Sequence, residues 1–118
     1  MTDILDIVID SAADFGLNAV IENPDMDTYD LTDAVVSAQL REFPESRDCF
    51  DFVCNHNGEG GRIEISMPWH TTRKIPYTKG VYDVFITFPN NTRLKVLKGK
   101  VDIIPNVTEP EAYETDNP

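Results

Sequence analysis

The chain has 118 residues, 41% of them hydrophobic, and a formal net charge of −11 at pH 7. This length fits one domain and suffices to bury a core without disulfides or a metal ion. The charge argues against nucleic acid as a partner, because phosphates require a basic footprint, and no apolar run approaches the ~20 residues that span a bilayer, so no membrane partner is expected.

Three strands are predicted in the first 41 residues. Residues 4–9 are rich in Ile and Val and are followed by turn-forming residues at 10–14. Residues 15–22 alternate apolar and polar, as a strand with one buried face does. Residues 34–41 alternate in the same way, and a helix competes there because Ala, Gln, Leu and Arg favour helices. The period of two favours the strand.

Four further strands are predicted in the second half, at residues 49–54, 62–67, 80–88 and 92–104. The last two form a hairpin around Asn90 and Asn91, since asparagine tolerates the positive φ angles of a tight turn. Gly99 is expected to bend or bulge the last strand. The stretch 68–79 is less regular and is expected to hold one helical turn.

Seven short strands separated by turn signals predict an antiparallel β-sandwich or barrel, because helices alternating with strands are absent. We place this domain at residues 1–108. Residues 109–118 contain Glu, Pro, Thr and Asn with one Tyr, and are predicted to be an acidic tail that is flexible or ordered by a partner.

Candidate chemistry is sparse. Cys49, Cys54, His56 and His70 could supply zinc ligands or a thiol nucleophile, but their spacing matches no standard zinc arrangement, and no third group orients a Cys–His pair. Residues 1–9 contain acids and no base, which predicts no signal peptide and two reduced thiols. We therefore predict no catalytic residue and no cofactor, and keep a small metal- or thiol-dependent enzyme as the remote alternative.

Charge is unevenly distributed along the chain. Residues 1–40 contain nine acids and no base, whereas residues 70–101 contain seven bases and one acid. Solubility and internal pairing explain most such charges, but segregation of this kind can also orient docking. The predicted partner-binding patch consists of Trp69, Arg73, Lys74 and Lys79. Trp69 is either a cap on the core or an exposed anchor. The first strand and residues 100–104 of the last are the expected free edges.

Several short sequence segments (called phrases below) occur in the same order as in a family that this chain resembles, the small immunoglobulin-like structural proteins of tailed bacteriophages. The chain also resembles the amino-terminal domain of siphophage upper baseplate proteins. The resemblance covers roughly residues 8–108. Its phrases are residues 11–15 (Ser-Ala-Ala-Asp-Phe), 29–34 (Tyr-Asp-Leu-Thr-Asp-Ala), the glycine-led 61–66, 75–76 (Ile-Pro), 80–84 (Gly-Val-Tyr-Asp-Val) and 92–108. The chain departs from the family at residues 68–74, which are bulkier and more basic, and at Asp33, where a glycine is expected.

The resemblance implies an immunoglobulin-like sandwich with no catalytic residues to carry over. It further implies a structural protein of the virion, made in the cytoplasm of a bacterial host, that acts as a tail or baseplate adaptor attaching fibres. Decoration of the capsid is the alternative role. The implied partners are other virion proteins of the tail, baseplate, fibre or capsid, and copies of the chain itself.

Overall fold

The structure is a computed structural model that describes residues 3–21, 31–56 and 61–108. Strands take up 57% of the described residues and helix 4%, and the strands form sheets that pack into a sandwich-like globule. The predicted all-β sandwich is therefore confirmed. The predicted tail at residues 109–118 lies outside the described residues.

Within the described ranges, nine strands and one short helix follow one another. They are β1 (Asp3–Ile4), β2 (Ile7–Asp10), β3 (Phe15–Val20), β4 (Val35–Arg41), β5 (Cys49–Asp51), β6 (Val53–His56), β7 (Arg62–Met67), α1 (Trp69–Thr72), β8 (Lys79–Thr87) and β9 (Arg93–Ile104). Each of the seven predicted segments contains a strand. The first and the fourth are each divided in two, which explains the larger number.

The first sheet, sheet A, has the order β1-β9-β8-β4-β5, and β2 pairs with β9 on the same side as β1. Strands β1 and β2 run parallel to β9, with Ile7 opposite Val101 and Asp10 opposite Ile104. The other pairs of the sheet are antiparallel. The predicted antiparallel pairing therefore holds except at the edge formed by β1 and β2, because apolar alternation indicates which face a strand buries but not which strand lies beside it.

The second sheet, sheet B, has the order β3-β7-β6 and is antiparallel. The chain passes from β5 in sheet A to β6 in sheet B through one residue, Phe52, whose N–H donates to the Ala38 carbonyl of β4 at 3.1 Å. On β6, His56 Nε2 donates a hydrogen bond to the carbonyl oxygen of Ala34 at 2.7 Å. The Phe52 bond extends the pairing of β5 with β4, and the His56 bond connects β6 of sheet B to the residue that precedes β4.

The core fills the space between the sheets with the alternate residues that the sequence pattern assigns to the buried faces. Strand β4 is a strand and not the competing helix, and its buried positions are Val36, Ala38 and Leu40. Strands β2, β7, β8 and β9 contribute most of the other side chains of this cluster, among them Ile9, Ile63, Ile65, Met67, Tyr82, Val84, Ile86, Val101 and Ile103. The hairpin turn also forms as predicted, with Asn91 at φ 72°.

Strand β9 departs from expectation in two ways. Its irregularity lies at Val96, where the pairing register with β8 shifts, and not at Gly99. Gly99 serves a different purpose, because a Cβ there would overlap the carbonyl oxygen of Leu5. Strand β9 also lies inside sheet A, between β2 and β8. The prediction that the last strand is a free edge is therefore wrong, whereas the first strand does lie at an edge.

Where Leu5 approaches Gly99, two hydrogen bonds to side chains replace one backbone hydrogen bond of the β-ladder. In an uninterrupted parallel ladder the Lys100 N–H would bond the Leu5 carbonyl. Here that N–H donates to Asp6 Oδ1 at 2.9 Å, and the hydroxyl of Tyr82 donates to the Leu5 carbonyl at 2.6 Å. The side chains of Asp6 and Tyr82 thus complete the junction between β1, β2 and β9.

The Tyr82 hydroxyl predicts a stability loss at high pH. Burial, with a smaller contribution from the carboxylate of Asp6, raises the pKa of Tyr82 to about 12. Since the folded state holds this proton more tightly than the unfolded state, its contribution is complete below pH ~10 and is lost as the pH rises to ~12, by up to about 2 kcal/mol. Urea unfolding between pH 9 and 12 should show a steeper decline for the wild type than for Tyr82→Phe. Equal slopes would contradict this assignment.

Candidate functional site

Helix α1 is fixed to the turn between β2 and β3. It begins after Pro68, and the backbone N–H of Trp69 donates to Asp14 Oδ1 at 2.7 Å. The fully buried Thr72 hydroxyl lies 3.0 Å from the carbonyl oxygen of Ala13, to which it can donate, and 3.1 Å from that of Trp69. The helical turn predicted within residues 68–79 is therefore present, and these bonds hold it against the end of the sandwich.

Three of the four predicted partner-binding residues lie on α1 or directly after it. Trp69 is half-buried, lies outside the core cluster, and packs edge-on against His70 with ring centroids 5.7 Å apart. Arg73 is half-buried and follows the last helical residue, and Lys74 is exposed. Trp69 is therefore neither part of the core nor a fully exposed anchor.

The fourth predicted residue belongs to sheet A. Lys79 is the first residue of β8, and its ammonium group pairs with Asp102 of β9 at 2.8 Å. Both side chains are largely exposed, so this pair contributes little to stability. Trp69, Arg73 and Lys74 thus lie on or just after one short helix, whereas Lys79 has a partner within its own sheet.

A second charged surface lies on the outer face of sheet A. Four exposed cationic residues of β9 point outward, and we call them the basic stripe: Arg93, Lys95, Lys98 and Lys100. The bulge at Val96 makes this alignment possible. In a regular strand Lys95 and Lys98 would point to opposite faces, but the extra residue at the bulge shifts the alternation by one position, so that Val96 and Leu97 are both buried and Lys98 points outward again. Sequence reasoning noted the basic segment but not its alignment on one face.

The stripe borders an aromatic ring on the neighbouring strand. The guanidinium carbon of Arg93 lies 3.7 Å from the ring centroid of Phe85, and Lys95 Nζ lies 5.4 Å from it. Lys95 also forms a 3.7 Å ion pair with Asp83. These residues line one shallow concavity together with Gln39 and Arg41 of β4. The concavity presents cationic groups, an aromatic face and the Gln39 amide, and the carboxylates of Asp6, Asp51 and Asp83 line it as well, so its charge is mixed.

The cysteines and histidines considered as ligands are distributed over separate elements. Cys49 lies on β5 of sheet A, Cys54 and His56 on β6 of sheet B, and His70 on α1. Among residues 3–21, 31–56 and 61–108, no group of three or more His, Cys, Asp or Glu side chains could hold a metal ion. Elemental analysis tests the enzyme alternative directly, since less than about half an equivalent of zinc in the purified protein would exclude its metal-dependent form.

The two thiols are expected to differ in reactivity. Cys49 is exposed, whereas Cys54 is half-buried, and burial raises the pKa of Cys54. Because the thiolate is the reactive form, Cys49 should react with a disulfide reagent at pH 8 at least about tenfold faster than Cys54. The variants Cys49→Ser and Cys54→Ser each leave one thiol for the measurement. Equal rates in the two variants would contradict the expectation.

The chain matches no protein-family model, and no curated protein matches it. Within the described part of the chain, no helix has the length and apolar character needed to cross a membrane.

Proposed function

We propose that the protein is a non-enzymatic structural component of a bacteriophage virion, an immunoglobulin-like adaptor of the tail or baseplate that attaches fibres. The observation that carries the proposal is the order of the family-like phrases along a chain that folds as an all-β sandwich. The phrase at residues 80–84 lies on β8, and the phrase at 61–66 begins at the buried Gly61 and continues along β7.

The edges of the sandwich support an adaptor role. Strands β1 and β2 form one edge of sheet A and expose apolar side chains, with Ile4 72% and Val8 56% accessible. Strand β3 is an edge of sheet B. Both edges carry backbone groups that another chain can pair with, and strand addition of this kind joins proteins without requiring a pocket.

The proposal is tested by electron microscopy of phage particles made with and without this gene product. Loss of fibres, or loss of density at the baseplate, is the expected result. Loss of density distributed over the capsid would instead support the alternative role in capsid decoration. Unchanged particles that lack the protein would refute both roles.

The patch of Trp69, Arg73, Lys74 and Lys79 gives a residue-level test of the same proposal. The double variant Arg73→Glu/Lys74→Glu should weaken incorporation into particles about tenfold or more, because like charges placed in an interface repel the partner. Arg47→Glu is the control for charge reversal elsewhere on the surface, since Arg47 is an exposed base like Lys74 but lies between β4 and β5. Circular dichroism should show all variants folded. Wild-type incorporation of the double variant would remove this patch from the interface.

A further inference from the structure

Strand β3 is the least protected edge of the sandwich. Proteins guard an edge strand against pairing with other chains by making it short, by giving it charges, a proline or a bulge, or by covering it. Strand β3 has six residues, none of them charged and none of them proline. It pairs with β7 in one uninterrupted register, without a bulge. It therefore offers a regular, uncharged edge of the kind that another strand can join.

The other edges of the described sheets each have some protection. Strand β5 has three residues and ends at Asp51. Strand β6 lies against β4, where His56 donates to the carbonyl oxygen of Ala34. The edge formed by β1 and β2 is interrupted between them at Asp6, and β2 ends at a second acid, Asp10. A second chain therefore meets the least hindrance at β3.

The backbone groups of β3 that point away from β7 lie at every second residue. The N–H of Ile21, which follows β3, donates to the carbonyl oxygen of Gly61, which precedes β7, at 2.8 Å. Because backbone groups alternate in direction along a strand, those of Gly16, Asn18 and Val20 point to the other side. No residue in the described part of the chain bonds to them there. The edge thus has both donors and acceptors open to a neighbouring strand.

The core is also incompletely closed beside β3. The inward-facing residues Phe15, Leu17 and Ala19 pack against the core but are only half-buried. Their register partners on β7 are buried, namely Met67, Ile65 and Ile63. A further strand beside β3, with apolar side chains on the same face, would remove more of this apolar surface from water.

We propose that this edge is a dimerisation surface, at which a second copy of the chain pairs its own β3 antiparallel to the first about a twofold axis at Asn18. In this register Gly16 of each copy lies opposite Val20 of the other, and the two Asn18 residues lie opposite each other. All the open N–H and carbonyl groups of both edges then bond to one another. The inference goes beyond the proposed function, since it holds whether or not the protein belongs to a virion.

The side chains of β3 fit this register on both faces. On the core side Leu17 lies opposite Ala19, and on the outer side Gly16 lies opposite Val20, so a large side chain meets a small one in each pair. A Cβ at Gly16 would meet no atom within 4 Å, which leaves room there for the facing side chain. The net charge of −11 on each copy and Asp14 beside the strand oppose association, so added salt should strengthen the dimer.

Sedimentation equilibrium of the full chain under reducing conditions tests the proposal, with Asn18→Lys and Asn55→Lys as a matched pair. Both asparagines are exposed and opposite Glu64, and they lie on the two outer strands of sheet B. A pairing of two short strands is a small interface, so the wild type should be dimeric at ~1 mM and monomeric at ~10 µM. Asn18→Lys sets like charges against each other across the axis and should weaken the dimer at least about tenfold. Asn55→Lys should not.

Three results of this experiment would overturn the proposal. A wild type that stays monomeric at the higher concentration would show that a second copy does not occupy the edge. Association that Asn18→Lys leaves intact would place the interface elsewhere, and so would an equal loss in both variants. Circular dichroism should show both variants folded, since both side chains are exposed and lysine is common on edge strands.

Amide hydrogen exchange of the wild type locates the interface without any substitution. The N–H groups of Gly16, Asn18 and Val20 should exchange at least about tenfold more slowly at the dimeric concentration than at the monomeric one. The N–H of Val8, which points away from β9 at the β2 edge, should exchange at the same rate in both. Slowing at Val8 in place of Asn18 would assign the interface to the β2 edge and overturn the proposal.

Discussion

Replacing Gly99 with alanine should destabilise the protein by about 3 kcal/mol, the upper part of the range for inserting a methyl group into a packed interior. The added Cβ would overlap the Leu5 carbonyl oxygen, and it would lie 2.6 Å from the Leu5 carbonyl carbon and 3.0 Å from the Tyr82 ring. The nearest two atoms are backbone, so a side-chain rotation cannot relieve the contact. Strands β1 and β2 must move away from β9, and the melting temperature should fall by about 15 °C.

Gly16→Ala is the matched control for this experiment. Gly16 also lies within a strand, β3, but a Cβ at that position meets no atom within 4 Å. Since glycine within a strand is less favourable than alanine by roughly 0.5–1 kcal/mol, Gly16→Ala should leave stability unchanged or raise it slightly. Urea unfolding of both variants measures the difference. If Gly99→Ala unfolds at the same urea concentration as Gly16→Ala, the close approach of Leu5 is not a constraint on the fold.

Truncation of Phe52 is expected to have an effect of similar or greater size. The side chain is 6% accessible, and its ring centroid lies 5.9 Å from that of Phe15 and 6.2 Å from that of Tyr82. Phe52→Ala should cost about 3–5 kcal/mol, since it removes a buried aromatic ring and leaves a cavity. This loss is a large part of the roughly 5–15 kcal/mol that stabilises a typical domain. The variant should therefore be partly unfolded in mild urea.

Two further variants separate the cavity from the loss of an aromatic residue as such. Phe52→Leu keeps most of the volume and should cost markedly less than Phe52→Ala. Phe43→Ala removes an aromatic ring that is 50% accessible and should cost no more than about 1 kcal/mol. In urea unfolding, the expected order of decreasing cost is Phe52→Ala, then Phe52→Leu, then Phe43→Ala. If Phe52→Ala and Phe43→Ala lowered the free energy of unfolding equally, Phe52, the residue between β5 of sheet A and β6 of sheet B, would not be a core position.

The local sequence pattern predicts where the strands lie and which face they bury, but it does not predict which strands pair with each other. Alternation at residues 34–41 and 62–67 identifies the buried sides of β4 and β7, because a strand directs successive side chains to opposite faces. The pairing of β2 with β9 joins residues more than 90 positions apart, such as Asp10 and Ile104. No period within either strand encodes that contact, so the parallel edge was not predicted.

The charged surface was predicted only in part for a related reason. Arg93 and Lys95 are separated by two positions, as are Lys98 and Lys100, but the two pairs are out of phase with each other in a regular strand. Only the bulge at Val96 brings them onto one face. The spacing Arg-x-Lys-x-x-Lys-x-Lys, with Val96 and Leu97 adjacent and apolar, was the available signal. Only composition favours the patch at Trp69, Arg73, Lys74 and Lys79, and its role in binding stays a prediction.

The parallel pairing of β1 and β2 with β9 also bears on how the domain would respond to mechanical tension. A pull on the chain before β1 and an opposite pull on the chain after β9 act along one axis and in opposing directions, because the two strands run the same way. The hydrogen bonds between them, which are perpendicular or slanted to that axis, would then be loaded together in shear and not opened one after another. A domain built in this way resists stretching along its strands better than it resists peeling at its edge.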